Sequence, residues 1–243
     1  MKRELIQFRD LGLMDYQAAW DYQEQLLHNN VEAKAMLWKE DARDVKQTTL
    51  VTIPETIHHL LFVEHPPVYT LGKSGKKENV LLSEEGLIEK DIQFYTTNRG
   101  GDITFHGPGQ VVGYPILDLE KFYTDIGKYL RNLEEVIIRT IAEYGIRGDR
   151  SAGETGVWIE PGVPGRERKI CAIGVRCSRW ITMHGFAFNV NTDLSYFNHI
   201  IPCGIVDKQV TSLEKELGQP MDITEVKERI KKNFERVFEA KLV

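Results

Sequence analysis

From Ile181 to Val190 the chain alternates in size: Phe186, Phe188 and Val190 are bulky, and Gly185, Ala187 and Asn189 between them are small. A period of two puts the first set on one face of a strand and the second on the other. Such a strand needs a core behind its bulky face, and its small face leaves room for a ligand. Five more strand runs accompany it, at 60–64, 93–97, 110–117, 155–159 and 169–175, so a sheet occupies the middle of the chain.

Helical periodicity flanks the sheet. After Thr124, the residues Ile126, Tyr129, Leu130, Leu133, Val136, Ile137, Ile141 and Tyr144 make one apolar stripe, and Gly145 is placed to end it. Asp15 is a suitable N-cap for a surface helix over 15–30, whose apolar positions are interrupted at Gln23. Asp222 with Glu225, and Thr211 with Glu214, have capping-box spacing ahead of two further helices, the shorter ending at Gly218. Stretches 40–49 and 160–168 are polar or rich in Pro and Gly and read as exposed loops. The order predicts an α+β fold, a mixed central sheet ringed by helices, in one domain over residues 1–243.

The net charge of −5 argues against a sequence-independent nucleic-acid binder, which needs a basic excess to neutralise phosphates. The start, MKRELIQFRDLG, carries charges where a secretory signal needs apolar residues, and no run reaches the roughly 18 apolar residues of a membrane span. The expectation is a cytoplasmic protein engaging neither membrane nor nucleic acid. Cys171, Cys177 and Cys203 are odd in number and include no CxxC pair, so a disulfide framework or structural zinc site fits poorly. His58, His59 and His65 form no metal-ligand pattern with other residues.

Three places carry chemistry. The first is the run RGGDITFHGPGQ at residues 99–110, where four glycines let a ligand approach the backbone between a cation, Arg99, and a titratable donor, His106. Its bland reading is a hairpin with turn glycines, and it is neither a Walker loop nor a dinucleotide fingerprint. The second is Cys203, in an apolar strand-like run, with Pro202 before the thiol and Gly204 leaving its far side uncrowded for an electrophile. The bland reading for any of the three cysteines is a small buried hydrophobe. The third is Lys169, opening the run KICAIGV. It is either a strand-end lysine in water or, beside Cys203, an ammonium that favours the thiolate. His184 and His199 are rival bases for a Cys–His scheme and otherwise structural histidines.

Taken in order, RGGDITFHGPGQ at 99–110, KICAIGV at 169–175, HGFAFNVNTDLSYF at 184–197 and PCG at 202–204 resemble the octanoyltransferases of lipoate synthesis, the lipoyl(octanoyl) transferase family. The likeness covers about residues 60–215 and implies the fold shared by biotin and lipoate protein ligases. By that resemblance Cys203 is the acyl-accepting nucleophile and Lys169 the lysine that activates it, with His184 as an auxiliary. Arg99, Gly100, Gly101, Asp102, Ile103, Thr104, Phe105 and His106 match segments lining the acyl site. Ala172, Ile173 and Gly174, and Gly185, Phe186 and Ala187, match the others. Asp102, Phe105 and the loops at 40–49 and 160–168 depart from the common pattern, and the loops bear on partner recognition.

The chemistry implied is ping-pong transfer. Octanoyl-acyl carrier protein gives its acyl group to the cysteine as a thioester. A lysine on the lipoyl domain of a 2-oxo acid dehydrogenase complex, or on the glycine cleavage H protein, then takes it as an amide. The thioester supplies the driving force, so no cofactor and no metal are expected. Two other classes remain open at this point: an ATP-dependent lipoate or biotin ligase on the same fold, which would not need Cys203, and a non-catalytic module binding acyl carrier or lipoyl domain.

Overall fold

The computed structural model describes residues 3–41, 54–201 and 209–243. In chain order its elements are β1 (Leu5–Leu13), α1 (Tyr16–Asp41), β2 (His58–Glu64), β3 (Val68–Leu71), α2 (Glu84–Glu89), β4 (Gln93–Thr96), β5 (Ile103–His106) and β6 (Gln110–Ile116). There follow α3 (Ile126–Ala142), β7 (Gly148–Asp149), β8 (Val157–Ile159), β9 (Arg168–Ser178), β10 (Ile181–Asn189), β11 (Gln209–Val210), α4 (Leu213–Leu217), α5 (Ile223–Phe238) and β12 (Lys241–Leu242).

The large sheet runs β12-β1-β2-β6-β10-β9-β8-β7, with β11 beside β9; β4, β3 and β5 form a second, smaller sheet. Parallel pairs join β1 to β12 and to β2, and antiparallel ones join β2 to β6, β6 to β10 and β10 to β9. The sheet is therefore mixed. Alternation along its strands builds two cores. Leu60, Phe62, Val111, Phe186 and Phe188 meet α3 and α5 on one face. Leu61, Val63, Val112, Tyr114 and Ala187 meet α1 on the other. The small face of β10 is thus the α1 face.

Helix ends follow side-chain chemistry. Asp125 Oδ1 accepts from the Lys128 N–H at 2.9 Å to start α3, and Gly145, at φ +78°, lets the chain turn away after it. Asp222 caps α5 through the N–H groups of Thr224 and Glu225. Ahead of α4 the expected cap is displaced by one residue. Ser212 Oγ accepts from Lys215 N–H at 3.1 Å, while Thr211 donates its hydroxyl to Glu216 at 2.6 Å. Asp15 caps α1 as expected, but the helix runs to Asp41, past Asn30. Nor is it merely a surface helix: Gln23, Asn30 and Lys34 are buried polar contacts to the rest of the fold. Asn30 bonds both to the N–H and to the carbonyl of Ile57, and Lys34 donates to Asp118 at 3.0 Å. Of the loop expected at 40–49, residues 40 and 41 are helical and the rest lie outside the described residues.

The glycine-rich run is not a hairpin. After a bend at 99–102 its middle is β5, which pairs with β3 in the small sheet, and past Gly107-Pro108-Gly109 the chain enters β6 of the large sheet. The run therefore bridges the two sheets, and the cleft they enclose holds the candidate site.

Candidate active site

A cavity of about 700 Å³ opens between the Gly-rich segment, β9 and β10. Its walls include Arg99, Gly100, Gly101, Asp102, Ile103, Thr104 and His106 from the bridge between sheets, and Lys169, Ala172, Ile173 and Gly174 from β9. From β10 come His184, Gly185, Phe186 and Ala187. The structure brings these sequence-derived candidates together because β9 and β10 pair in register, Ala172 opposite Ala187 and Gly174 opposite Gly185.

Missing side chains shape the walls. A Cβ on Gly174 would lie 2.8 Å from the Gly100 carbonyl oxygen and 3.2 Å from Arg99 Cδ, so only glycine lets the bridge sit against β9. The Gly100 N–H seals that contact by donating to the Val175 carbonyl at 2.9 Å. On Gly185 a Cβ would collide with the Gly113 carbonyl oxygen and lie 2.7 Å from Pro115 Cδ. Gly185 therefore admits the neighbouring strand, and Ala187 is the small side chain that faces free volume. Phe105 departs from expectation: its ring stacks on Tyr196 at 4.5 Å and packs against Tyr69 in the core of the small sheet, away from the cavity wall. Asp102 is held by Asn79 Nδ2 at 2.9 Å and lines the cavity.

A chain of buried hydrogen bonds runs along the cavity wall. Gln110 Nε2 donates to the Phe105 carbonyl and to Asn189 Oδ1, which leaves its oxygen to accept from His106 Nδ1 at 2.8 Å. His106 Nε2 then accepts from the Thr70 hydroxyl at 3.2 Å, whose own oxygen accepts from Arg99 Nη2 at 2.9 Å. Asn189 Nδ2 continues the chain to the Thr211 carbonyl at 3.0 Å. Every donor and acceptor in this order is matched, which fixes His106 as the neutral Nδ1–H tautomer. Burial, with His65 and Arg99 nearby, holds its pKa well below the ordinary histidine value. His106 is therefore no titrating donor at neutral pH, and its ring stacks on Tyr16 at 5.9 Å.

His184 is likewise a poor base. It is buried, its Nε2 bonds Asn98 Oδ1 at 2.9 Å and its backbone N–H bonds Gln23 at 2.9 Å. Burial, with Arg99 and Arg176 nearby, lowers its pKa to about 3. At φ +57° its backbone is also in the left-handed region, uncommon for a residue other than glycine. His199 closes a short 3₁₀ turn, and its carbonyl accepts from Leu81 N–H.

Lys169 stands in the cavity wall with its ammonium 4.6 Å from the centre of the Trp158 ring. β11 lies parallel to it, Val210 opposite Lys169 and Gln209 opposite Arg168. Cys203, with Pro202 and Gly204, lies outside the described residues. Of the other two cysteines, Cys171 is fully buried and Cys177 half-buried, and burial pushes both thiols upward. Among the described residues no helix is long and apolar enough to cross a membrane, and no cluster of three His, Cys, Asp or Glu side chains suits a metal ion.

Tyr16 and Thr70 joined the site without any sequence signal, since each reaches it from an element distant in the chain, and Tyr114 lies on β6, just past the Gly-rich run. Gln110 and Asn189 were visible within quoted motifs, as the end of the Gly-rich run and as a small-face position of β10.

A family model described as the lipoyl protein ligase A/B catalytic domain matches residues 15–235. The octanoyltransferase of Flavobacterium psychrophilum is 58% identical over 98% of this chain and 98% of its own length. That of Christiangramia forsetii is 56% identical over 98% and 97%. Among solved structures, a bipartite lipoate protein ligase from Thermoplasma acidophilum superimposes with a TM-score of 0.65 at 16% identity, covering 100% of this chain and 86% of that one. That likeness is one of fold.

Proposed function

The chain belongs to the lipoyl protein ligase A/B catalytic family and is an acyltransferase that moves octanoyl groups in protein lipoylation; from that premise we propose that Cys203 carries the acyl group and that Lys169 activates it. The donor is octanoyl-acyl carrier protein. The acceptors are lysines on lipoyl domains of 2-oxo acid dehydrogenase complexes and on the glycine cleavage H protein.

The observation that carries this reading is the placement of Lys169 in the wall of a cavity whose other walls are the small face of β10 and the Gly-rich bridge. An apolar cavity with a few fixed polar groups suits an acyl chain. Phe197 and Val210, on either side of the stretch that contains Cys203, both line it. In the first half-reaction the Cys203 thiolate attacks the thioester carbonyl. The carbon–sulfur bond to the carrier breaks, the carrier thiolate leaves and takes its proton from the Lys169 ammonium, and octanoyl-Cys203 remains beside a neutral Lys169 amine. In the second, a neutral lysine amine attacks the new thioester and Cys203 departs as thiolate. Lys169 in its amine form takes the proton lost by the nitrogen. Arg99, Gly100, Gly101, Ala172, Gly174 and Ala187 hold the chain, and His106 and His184 stay neutral as parts of the wall.

Intact mass after mixing with octanoyl-carrier tests the reading. One octanoyl group is added without ATP, and Cys203→Ala abolishes both the adduct and transfer. An adduct that requires ATP, or one mapped to Cys171, would overturn it in favour of a ligase or of a different nucleophile.

A further inference from the structure

Glu134 lies on α3 with a fully buried side chain, and the chemistry above gives it no task. A carboxylate taken out of water must be matched by donors. Its Oε2 accepts from Arg150 Nε at 3.0 Å and forms an ion pair with Arg131 at 2.8 Å, and its Oε1 accepts from the Gly156 backbone N–H at 3.0 Å. Arg150 and Gly156 stand at the two ends of the loop that joins β7 to β8. One carboxylate therefore closes both ends of that loop.

What the loop touches gives the clamp its consequence. Gly153, Glu154 and Thr155, between the clamped ends, line the cavity. Gly156 has φ +122°, and a Cβ on it would lie 2.5 Å from the Cys171 carbonyl oxygen and 3.6 Å from both Cδ and Cε of Lys169. The backbone held by Glu134 thus lies along the stem of Lys169. Two residues further on, Trp158 pairs with Lys169 across the sheet and places its ring beside the ammonium.

From these contacts we infer that Glu134 is a positioning residue for Lys169, setting through Gly156 where the ammonium stands in the cavity. The inference rests on the reading of Lys169 given above. Its neighbour Glu135 supplies a control, because it accepts from Arg150 Nη2 at 2.8 Å while the bond to Gly156 belongs to Glu134.

The test compares Glu134→Gln, Glu135→Gln, Lys169→Met and the Glu134→Gln/Lys169→Met double variant, each first shown to be folded by circular dichroism. Thiol alkylation is followed against pH, and kcat and KM are measured for transfer from octanoyl-carrier. Glu134→Gln lowers kcat about tenfold or more, a loss expected when a reacting group is misplaced, and moves the alkylation profile toward that of Lys169→Met. KM changes little, and Glu135→Gln follows the wild type. The double variant is no slower than Lys169→Met alone, because the two side chains act as one unit. Multiplied losses in the double variant, or a wild-type profile for Glu134→Gln, overturn the inference. A wild-type profile for Lys169→Met would remove the reading of Lys169 and the inference with it. Should Glu134→Gln fail to fold, Glu134→Asp, which keeps the charge but draws the carboxylate back from the Gly156 N–H, carries the same expectations.

Discussion

Gly174, Gly185 and Ala187 show that small residues on one strand face do different work. Gly174 and Gly185 line the cavity as bare backbone, because neighbouring atoms occupy the space a Cβ would need, whereas Ala187 presents a side chain to it. Ala187→Leu is expected to shorten the acyl channel and shift selectivity from octanoyl toward butyryl, since each methylene buried contributes about 0.8 kcal/mol. Competition between the two carriers in one reaction reads the ratio of specificity constants, and an unchanged ratio would place the channel elsewhere. Gly185→Ala instead overpacks the sheet against Gly113 and Pro115, at a cost of about 1–3 kcal/mol in unfolding stability. Thiol reactivity follows burial as well. Cys171→Ala and Cys177→Ala should leave alkylation at neutral pH as in the wild type, because both thiols are pushed upward; peptide mapping of the labelled site checks this.

Elements are set by their ends and by what covers them. Asp125→Ala removes the acceptor for the Lys128 N–H at the start of α3 and should cost about 1 kcal/mol, measurable in the urea midpoint. The stripe of α3 was readable because its period is local, and so was the small–bulky alternation of β10. β1 was not: with Arg9 and Asp10 inside it and Ile6 its one buried residue, it carries too little apolar alternation to announce a strand. It is a strand because β2 and β12 lie on either side of it. β5 escaped for another reason. Turn glycines surround it, and its partner β3 is some thirty residues earlier in the chain.

For the whole molecule the buried histidines predict an acid-labile fold. His65 is lowered from its ordinary 6.5 to about 4 and His184 to about 3, both chiefly by burial, and His106 is held well below its ordinary value by the same cause. The unfolded chain takes up protons at these rings near pH 6.5, and the folded chain does so only at lower pH. Their contribution is therefore complete above about pH 6.5 and is lost as pH falls toward the folded values, by about 1.4 kcal/mol per ring for each unit. Urea midpoints from pH 7.5 to 5.5, above the range where carboxylates titrate, should fall accordingly; a flat profile would mean that these rings are charged in the fold. By itself the sequence determined the fold class, the periodic elements and the chemical class, because periodicity, caps and the motifs around Arg99, Lys169 and Cys203 are written in neighbouring residues. Tertiary structure alone decided that the Gly-rich run bridges two sheets, that Gly185 makes room for Gly113, that His106 is a neutral link between Thr70 and Gln110, and that Glu134 holds the loop beside Lys169. Each depends on groups brought together from distant parts of the chain, where burial and donor–acceptor matching set protonation and position, and neither can be read from sequence spacing.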